Sequence, residues 1–341
     1  MCALSNAEHI QLRPIHLSDT LRRSPSEQEA VLDPASVDDL STLAVLWQRA
    51  LPQHALSRSR LQEWLEHPAC NPELLRIACY DGRCVGFIAG SSPAQGRWHH
   101  LSCIVVDPAW QGRGVGTALW NWLETSLQQQ SARPWRLGGD IAHLFAGLPL
   151  EANAVTWEFF QRRGFQAQRV VFDMLLDCRL LAVAAPLAPE LQQSTDTSRA
   201  LHFLQKHFPG RWYDEAHYAA NNGATLLGLQ HKDTPHTIVG FAVLYPPACS
   251  LQGPSRIWDA TLPPQSAGLG PIGVAAEYRG RGYGLMLLLE AVRYCMQAGA
   301  AHIIINWTDL TDFYGRIGAR VWRGYQVLER PLAASLEKDG S

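Results

Sequence analysis

Residues 277–291 read EYRGRGYGLMLLLEA, with Gly280, Gly282 and Gly284 at every second position, Arg279, Arg281 and Tyr283 beside them, and a leucine-rich run directly after. Residues 109–124, AWQGRGVGTALWNWLE, repeat the frame with Gly112, Gly114 and Gly116 among Gln111, Arg113 and Val115. A turn of alternating glycines that opens a helix gathers unpaired backbone N–H groups at the helix N-terminus, where the macrodipole also favours negative charge. Side chains at the glycines would bar a phosphate, and the arginines can add charge-assisted bonds. The chemistry this frame suits is the cradling of a phosphate. A tight strand-to-helix turn is the plainer reading of either stretch alone. The spacing is not GxxxxGK[ST], which excludes a nucleoside-triphosphatase loop, and it fits a dinucleotide fold poorly.

Elements that would position these loops occur twice. Setting Gln111 over Arg279, an offset of 168 residues, brings similar surroundings into line. Before the first loop, Leu43–Ala50 and Leu61–Glu66 read as helical, Leu74–Tyr80 and Val85–Ala89 as strands joined at Asp81-Gly82, and Leu101–Val106 as the entering strand. Before the second come helical Ser198–His207 and Ala216–Ala220, then strands Ala224–Gln230, Ile238–Leu244 and Gly268–Val274. The helices after the loops carry one-sided stripes, Leu119, Trp122, Leu123 and Leu127 in one and Leu285, Leu288, Leu289, Val292 and Met296 in the other. A further strand, Trp135–Leu137 or Ile303–Asn306, and a short aromatic helix follow. The expected fold class is α+β, two tandem domains, each a mixed, mostly antiparallel sheet flanked by helices. Boundaries are expected at 1–180 and 196–341, with 181–195 as an Ala- and Pro-rich linker. Residues 246–270, with five prolines and three glycines, form an insertion at the strand entering the second loop.

Composition limits the partners. Of 341 residues 47% are hydrophobic, and 29 basic against 31 acidic residues leave a net charge of -2 with no long block of one sign. That argues against a nucleic-acid partner. No run of about 18 apolar residues occurs and the start lacks a signal-peptide pattern, so no membrane partner and a cytoplasmic location are expected. Eight scattered cysteines without a CxxC pair imply reduced thiols and no metal.

The [Q/R]xxGxG pattern of Gln111–Gly116 and Arg279–Gly284 resembles the acyl-CoA loop of the GNAT N-acyltransferase superfamily. A second resemblance follows each loop, an aromatic helix ending in glycine: Trp157, Phe160, Gly164 and Phe165 in one half, Phe313, Tyr314 and Gly318 in the other. The likeness covers roughly residues 40–178 and 195–330 and implies a tandem member using acetyl-CoA as acyl donor. It also implies that backbone around the loops and the entering strands, including Val106, Ile272 and Val274, holds the donor. Gly270-Pro271-Ile272-Gly273-Val274 is unfit for a regular central strand and fits the family's bulged fourth strand, which splays from the fifth.

In this family a tyrosine of the aromatic helix commonly protonates the departing thiolate. Tyr314 stands there in the second half and Phe160 in the first, while 30 positions separate Gly284 from Tyr314 and 44 separate Gly116 from Phe160, an extra stretch around His143–Pro149. The expectation is therefore a catalytic C-terminal half and an N-terminal half degenerate in catalysis. For the general base Asp309 is the candidate, with an N-cap beside Asp312 as its other reading; Asp259 and His302 are weaker. The acceptor pocket is placed on Arg211, Trp212, Tyr213 and Asp214, within the run Phe208–Glu215, and on Trp258 and Asp259 of the insertion. Carboxylates there would hold an ammonium group and aromatics a sugar or ring. The function expected is acetylation of a primary amine of a small molecule, amino sugars included, by a monomer or homodimer. A non-catalytic acyl-CoA-binding protein, acetylation of a protein or thiol-conjugate amine, and nucleotide binding at the same loops stay open.

Overall fold

The computed structural model describes residues 10–15, 39–94, 96–142, 144–181, 191–232, 234 and 237–332. In chain order the first half gives β1 (Gln11–Arg13), α1 (Asp39–Ala50), α2 (Arg58–Leu65), β2 (Leu75–Tyr80), β3 (Arg83–Ser91), β4 (His99–Val106), α3 (Val115–Gln128), β5 (Trp135–Leu137), β6 (Leu148–Pro149), α4 (Ala154–Gln161) and β7 (Gln166–Asp177). The second gives β8 (Leu191–Ser194), α5 (Thr197–His207), α6 (Arg211–Asn221), β9 (Thr225–His231), β10 (Ile238–Tyr245), β11 (Ser266–Val274), α7 (Tyr283–Gln297), β12 (His302–Thr308), α8 (Thr311–Gly315) and β13 (Arg320–Arg330). Local chemistry sets many of these ends. Asp81 and Gly82 both take positive φ, 47° and 73°, the pairing a two-residue hairpin turn demands. The Ser57 hydroxyl accepts the Arg60 N–H at 3.1 Å and so starts α2, and Asp196 caps α5 in the same way.

The chain forms two compact units. One comprises the described residues up to Arg169 together with those from Gln326 onward, and the other is Val170–Tyr325. In the first, β1-β2-β3-β4-β5 lie in that order and the end of β13 closes the sheet, Glu329 opposite Arg136 and Arg330 opposite Trp135. In the second, the order is β8-β9-β10-β11-β12 and the end of β7 closes it, Asp177 opposite His302. Neighbours run antiparallel except β4 with β5 and β11 with β12, which are parallel. Each unit thus takes its closing strand from the opposite half of the sequence, a partition the expected boundaries at 181–195 do not follow. Residues 182–190 of the expected linker lie outside the described residues, as does His143. Leu191–Ser194 is a strand paired with β9, anchored by the buried Leu191, whereas Gln192, Gln193 and Ser194 are not buried.

Both loop helices pack on their own sheets, on faces slightly rotated from the expected stripes. In α3 the buried residues are Leu119, Trp120, Leu123 and Leu127; Trp122 is only partly covered, with the Arg76 guanidinium 4.5 Å above its ring. In α7 they include Leu287, Leu288, Ala291, Val292 and Cys295, whereas Met296 is exposed. So many apolar residues occur in α7 that the stripe alone did not orient it. Leu287 is fully buried and packs over Gly240, whose Cβ position lies 3.1 Å from a Leu287 methyl. Leu287→Ala is expected to cost about 2–5 kcal/mol of this unit's stability, read as a lower urea midpoint.

Candidate functional site

In both units the loop glycines adopt left-handed backbone: φ is 72° and 87° at Gly112 and Gly114, and 77° and 79° at Gly280 and Gly282. A side chain there would be strained. A Cβ at Gly112, Gly280 or Gly282 would meet nothing within 4 Å, so each loop faces open space. Gly114 and Gly282 are the N-caps of α3 and α7 and carry no capping side chain. Among the described residues the N–H groups of Gly114, Val115 and Gly116, and of Gly282, Tyr283 and Gly284, have no hydrogen-bond acceptor. These are free donors at a helix N-terminus, the requirement for holding an anion.

The duplicated frame is kept in atomic detail. Gln111 donates its side-chain amide to the Val106 carbonyl at 3.3 Å, and Arg279 its Nε to the Val274 carbonyl at 3.1 Å. Arg113 lies 5.1 Å over the Trp110 ring and Arg281 5.7 Å over Tyr278. Phe159 sits against Gly116 and Phe313 against Gly284. Each long side chain therefore fixes the loop to the strand that enters it. Val115 and Tyr283 turn their side chains into the core, so only their backbone faces the cradle.

Beside each loop the parallel strand pair comes apart. β4 pairs with β5 over His99–Leu101 yet runs on to Val106. β11 pairs with β12 over Ser266–Leu269 yet runs on to Val274, past Pro271 and the half-buried Ile272. The expected bulge falls on the other edge of β11, as a register shift against Ala242–Leu244 of β10. In the first unit the opening belongs to a cleft of about 540 Å³ that runs from Gln111, Gly112, Gly114 and Gly116 past Ile104, Val106 and Leu137 to Phe160.

Tyr314 lies in α8 beyond the opening of the second unit, buried and edge-on to Phe313 at 5.0 Å. Burial pushes its hydroxyl up to about 12, and among the described residues that hydroxyl makes no hydrogen bond. Phe160, packed edge-on to Phe159 at 5.3 Å, holds the matching place in the first unit. Asp309 is exposed. The residue at the N-cap of α8 is Leu310, with no capping side chain, and the Thr308 hydroxyl accepts the Leu310 N–H at 3.0 Å. The expected Asp309 cap is thus replaced by a turn on Thr308, the last residue of β12 and one residue before Asp309.

Sequence reasoning missed Asp173, a carboxylate that the second unit buries near the same strand end. Asp173 of β7 accepts the Tyr325 hydroxyl at 2.9 Å and the Trp307 N–H at 3.3 Å, and the Trp258 ring N–H donates to the Tyr325 oxygen at 2.9 Å. Burial pushes Asp173 up to about 6 against those hydrogen bonds. Trp307 has φ 54° within a register shift between Ile305 and Thr308, a strained backbone that Asp173 secures. The Arg211 guanidinium lies 5.2 Å over the Trp307 ring and 3.7 Å from Glu215. Burial pushes Glu215 up to about 7, with Arg211 opposing and Asp214 reinforcing the rise.

Of the expected acceptor residues, Arg211 and Trp258 reach this cluster. Trp212 packs on Phe208 at 5.2 Å and over Gly273 of β11. Tyr213 stacks on His217 at 5.9 Å, Asp214 is exposed, and Asp259 lies in a short turn after Trp258.

Glu215 gives a pH test. Its carboxyl is protonated more readily folded than unfolded, so stability is greatest below its ordinary 4.5 and falls as pH rises through about 7. The span amounts to about 3 kcal/mol. Glu215→Gln cannot ionise, so the drop in urea midpoint between pH 5 and pH 8 is expected to shrink relative to wild type.

Two units, each with a splayed parallel pair and a bare-backbone loop at a helix start, define a tandem acyltransferase. The Acetyltransferase (GNAT) family pattern matches at residues 40–165 and again at 192–318, and the chain belongs to that family. Similar solved structures include the glucosamine N-acetyltransferase region of a fungal multi-domain GH3 beta-N-acetylglucosaminidase, 23% identical with TM-score 0.76 over 86% of this chain and 37% of that one. The chain therefore spans little more than a third of that protein's length. A GCN5-related N-acetyltransferase from Sphaerobacter thermophilus is 15% identical with TM-score 0.67, over 95% of this chain and 96% of its own. A tandem GNAT protein from the clavulanic acid biosynthesis pathway is 15% identical with TM-score 0.64, over 96% and 99%. At these identities the likeness is one of fold. No curated protein sequence matches this chain significantly. No helix of the described residues is long and apolar enough to cross a membrane.

Proposed function

We propose that this chain moves the acetyl group of acetyl-CoA to the primary amine of a small molecule, and that the C-terminal unit performs the transfer. The observation that carries this reading is Tyr314, a buried phenol with no hydrogen-bond partner among the described residues, beyond a splayed strand pair and a cradle of free N–H groups. A phenol is protonated near neutral pH, and burial holds Tyr314 further toward that form, so it has a proton to give to the departing thiolate.

The bare N–H groups of Gly282, Tyr283 and Gly284 suit the pyrophosphate of the donor, since left-handed glycines leave the space before them clear. A carboxyl poised near pH 7 is the kind of group that takes a proton from an ammonium acceptor, freeing the neutral amine that attacks. Glu215 meets that requirement better than the exposed Asp309. Arg211 and the partly exposed Trp307 then offer polar and aromatic surface beside it. The fungal region described as a glucosamine N-acetyltransferase supports an amino sugar as the first acceptor to try. The experiment is to follow thiol release from acetyl-CoA with wild-type protein and a panel of amines. Glucosamine is expected to accelerate it; if no amine does, the transferase reading fails.

A further inference from the structure

Phe160 deprives the first unit of the phenol, yet the cleft that holds Phe160 has another ionisable pair at its wall. His54, in the turn between α1 and α2, and Glu151, before α4, line the same 540 Å³ space as the first glycine loop. His54 Nδ1 lies 3.5 Å from Glu151 Oε1. The imidazole is buried and the carboxylate about half exposed.

We propose that this cleft is a second acyl-transfer centre, in which His54, oriented by Glu151, carries the proton between an amine and a CoA thioester. The inference does not depend on the C-terminal reading.

Three observations carry it. The imidazole is positioned: the Trp47 ring N–H donates to the His54 carbonyl at 2.7 Å, and Phe145, stacked on Trp47 at 6.0 Å, lies 5.5 Å from the His54 ring. A carboxylate on the Nδ1 side favours the tautomer with its proton there, which makes Nε2 the basic nitrogen. Lastly, Phe145 and Glu151 both belong to the extra stretch between β5 and α4, which the second half lacks. The half without the tyrosine is the half with the longer stretch whose residues hold a histidine in the cleft.

The chemistry balances without any further reagent. The amine nitrogen attacks the thioester carbonyl carbon, the C–N bond forms and the C–S bond breaks. His54 takes the proton shed by nitrogen and returns it to the departing sulfur, leaving an amide and the free thiol. The Glu151 carboxylate at the cleft favours acceptors that approach as cations.

The test uses the full chain carrying Gly282→Glu, which closes the second cradle, with D-glucosamine and putrescine as probe amines and thiol release from acetyl-CoA as the readout. Amine-dependent turnover is expected to persist. Adding His54→Gln is expected to lower it about 10²-fold while the calorimetric Kd for acetyl-CoA stays unchanged. Adding Glu151→Gln, a change at a half-exposed site that keeps the test open should the histidine variant fail to fold, is expected to lower it about tenfold or more. No amine-dependent turnover in the Gly282→Glu chain with either probe, or turnover that survives both further changes, overturns the proposal. Loss of all turnover on Gly282→Glu, with wild type active, would leave the C-terminal reading standing.

Discussion

Tyr314→Phe is expected to lower kcat for amine acetylation by about 10²-fold or more, with the Kd for acetyl-CoA unchanged. The change removes one oxygen from a side chain that is 5% exposed and leaves the ring, its edge-on contact with Phe313 and the helix intact. With no hydrogen bond to lose among the described residues, the fold gives up little. Any fall in turnover therefore reports proton delivery, for which a positioned acid contributes about 10²- to 10⁴-fold. The pH profile separates this from simple misplacement: the descending limb set by the phenol, near 12 in the free protein, should vanish in the variant. Unchanged kcat in the variant would remove Tyr314 from the mechanism.

Gly282→Glu is expected to weaken acetyl-CoA binding about 10²-fold or more, measured calorimetrically against the same change at Gly114. Two effects act together. A residue with a Cβ at φ 79° pays about 1–2 kcal/mol of backbone strain. The new carboxylate would also occupy the open space before the free N–H groups of α7, setting a negative charge where an anion is held. Because no atom lies within 4 Å of the Cβ position, the unit should still fold, and circular dichroism checks that. Binding stoichiometry then tells how many cradles are occupied.

Much of the fold was legible because two signals agreed. Glycine spacing marked the loops, and the same order of strand and helix patterns recurred at a constant offset. The positive φ values at Asp81-Gly82 and at the loop glycines are what those residue types exist to supply, so local sequence sufficed. Asp173 was not legible. It lies 134 residues from the Trp307 N–H it accepts, in a strand whose pattern reads only as buried, and its importance arises from which strand closes which sheet. Glu215 stood inside a segment singled out for its charges, but only helical geometry shows that it turns inward while Asp214, one residue earlier, turns out. His54 offered no periodic or spacing signal. Its meaning comes from Glu151, nearly a hundred positions later, and from the cleft they share.

The crossed origin of the closing strands bears on how this chain can be divided. A duplication visible in sequence invites cleavage between the repeats, as though two independent modules had been strung together. Severed after Leu181, the leading fragment would carry Val170–Asp177, which closes the other sheet, and would lack Gln326–Arg330, which closes its own. Each fragment would then present an open strand edge, the feature that drives chains to pair with the wrong neighbour. The repeats are separable as text but not as objects: the smallest piece expected to fold faithfully is the whole pair.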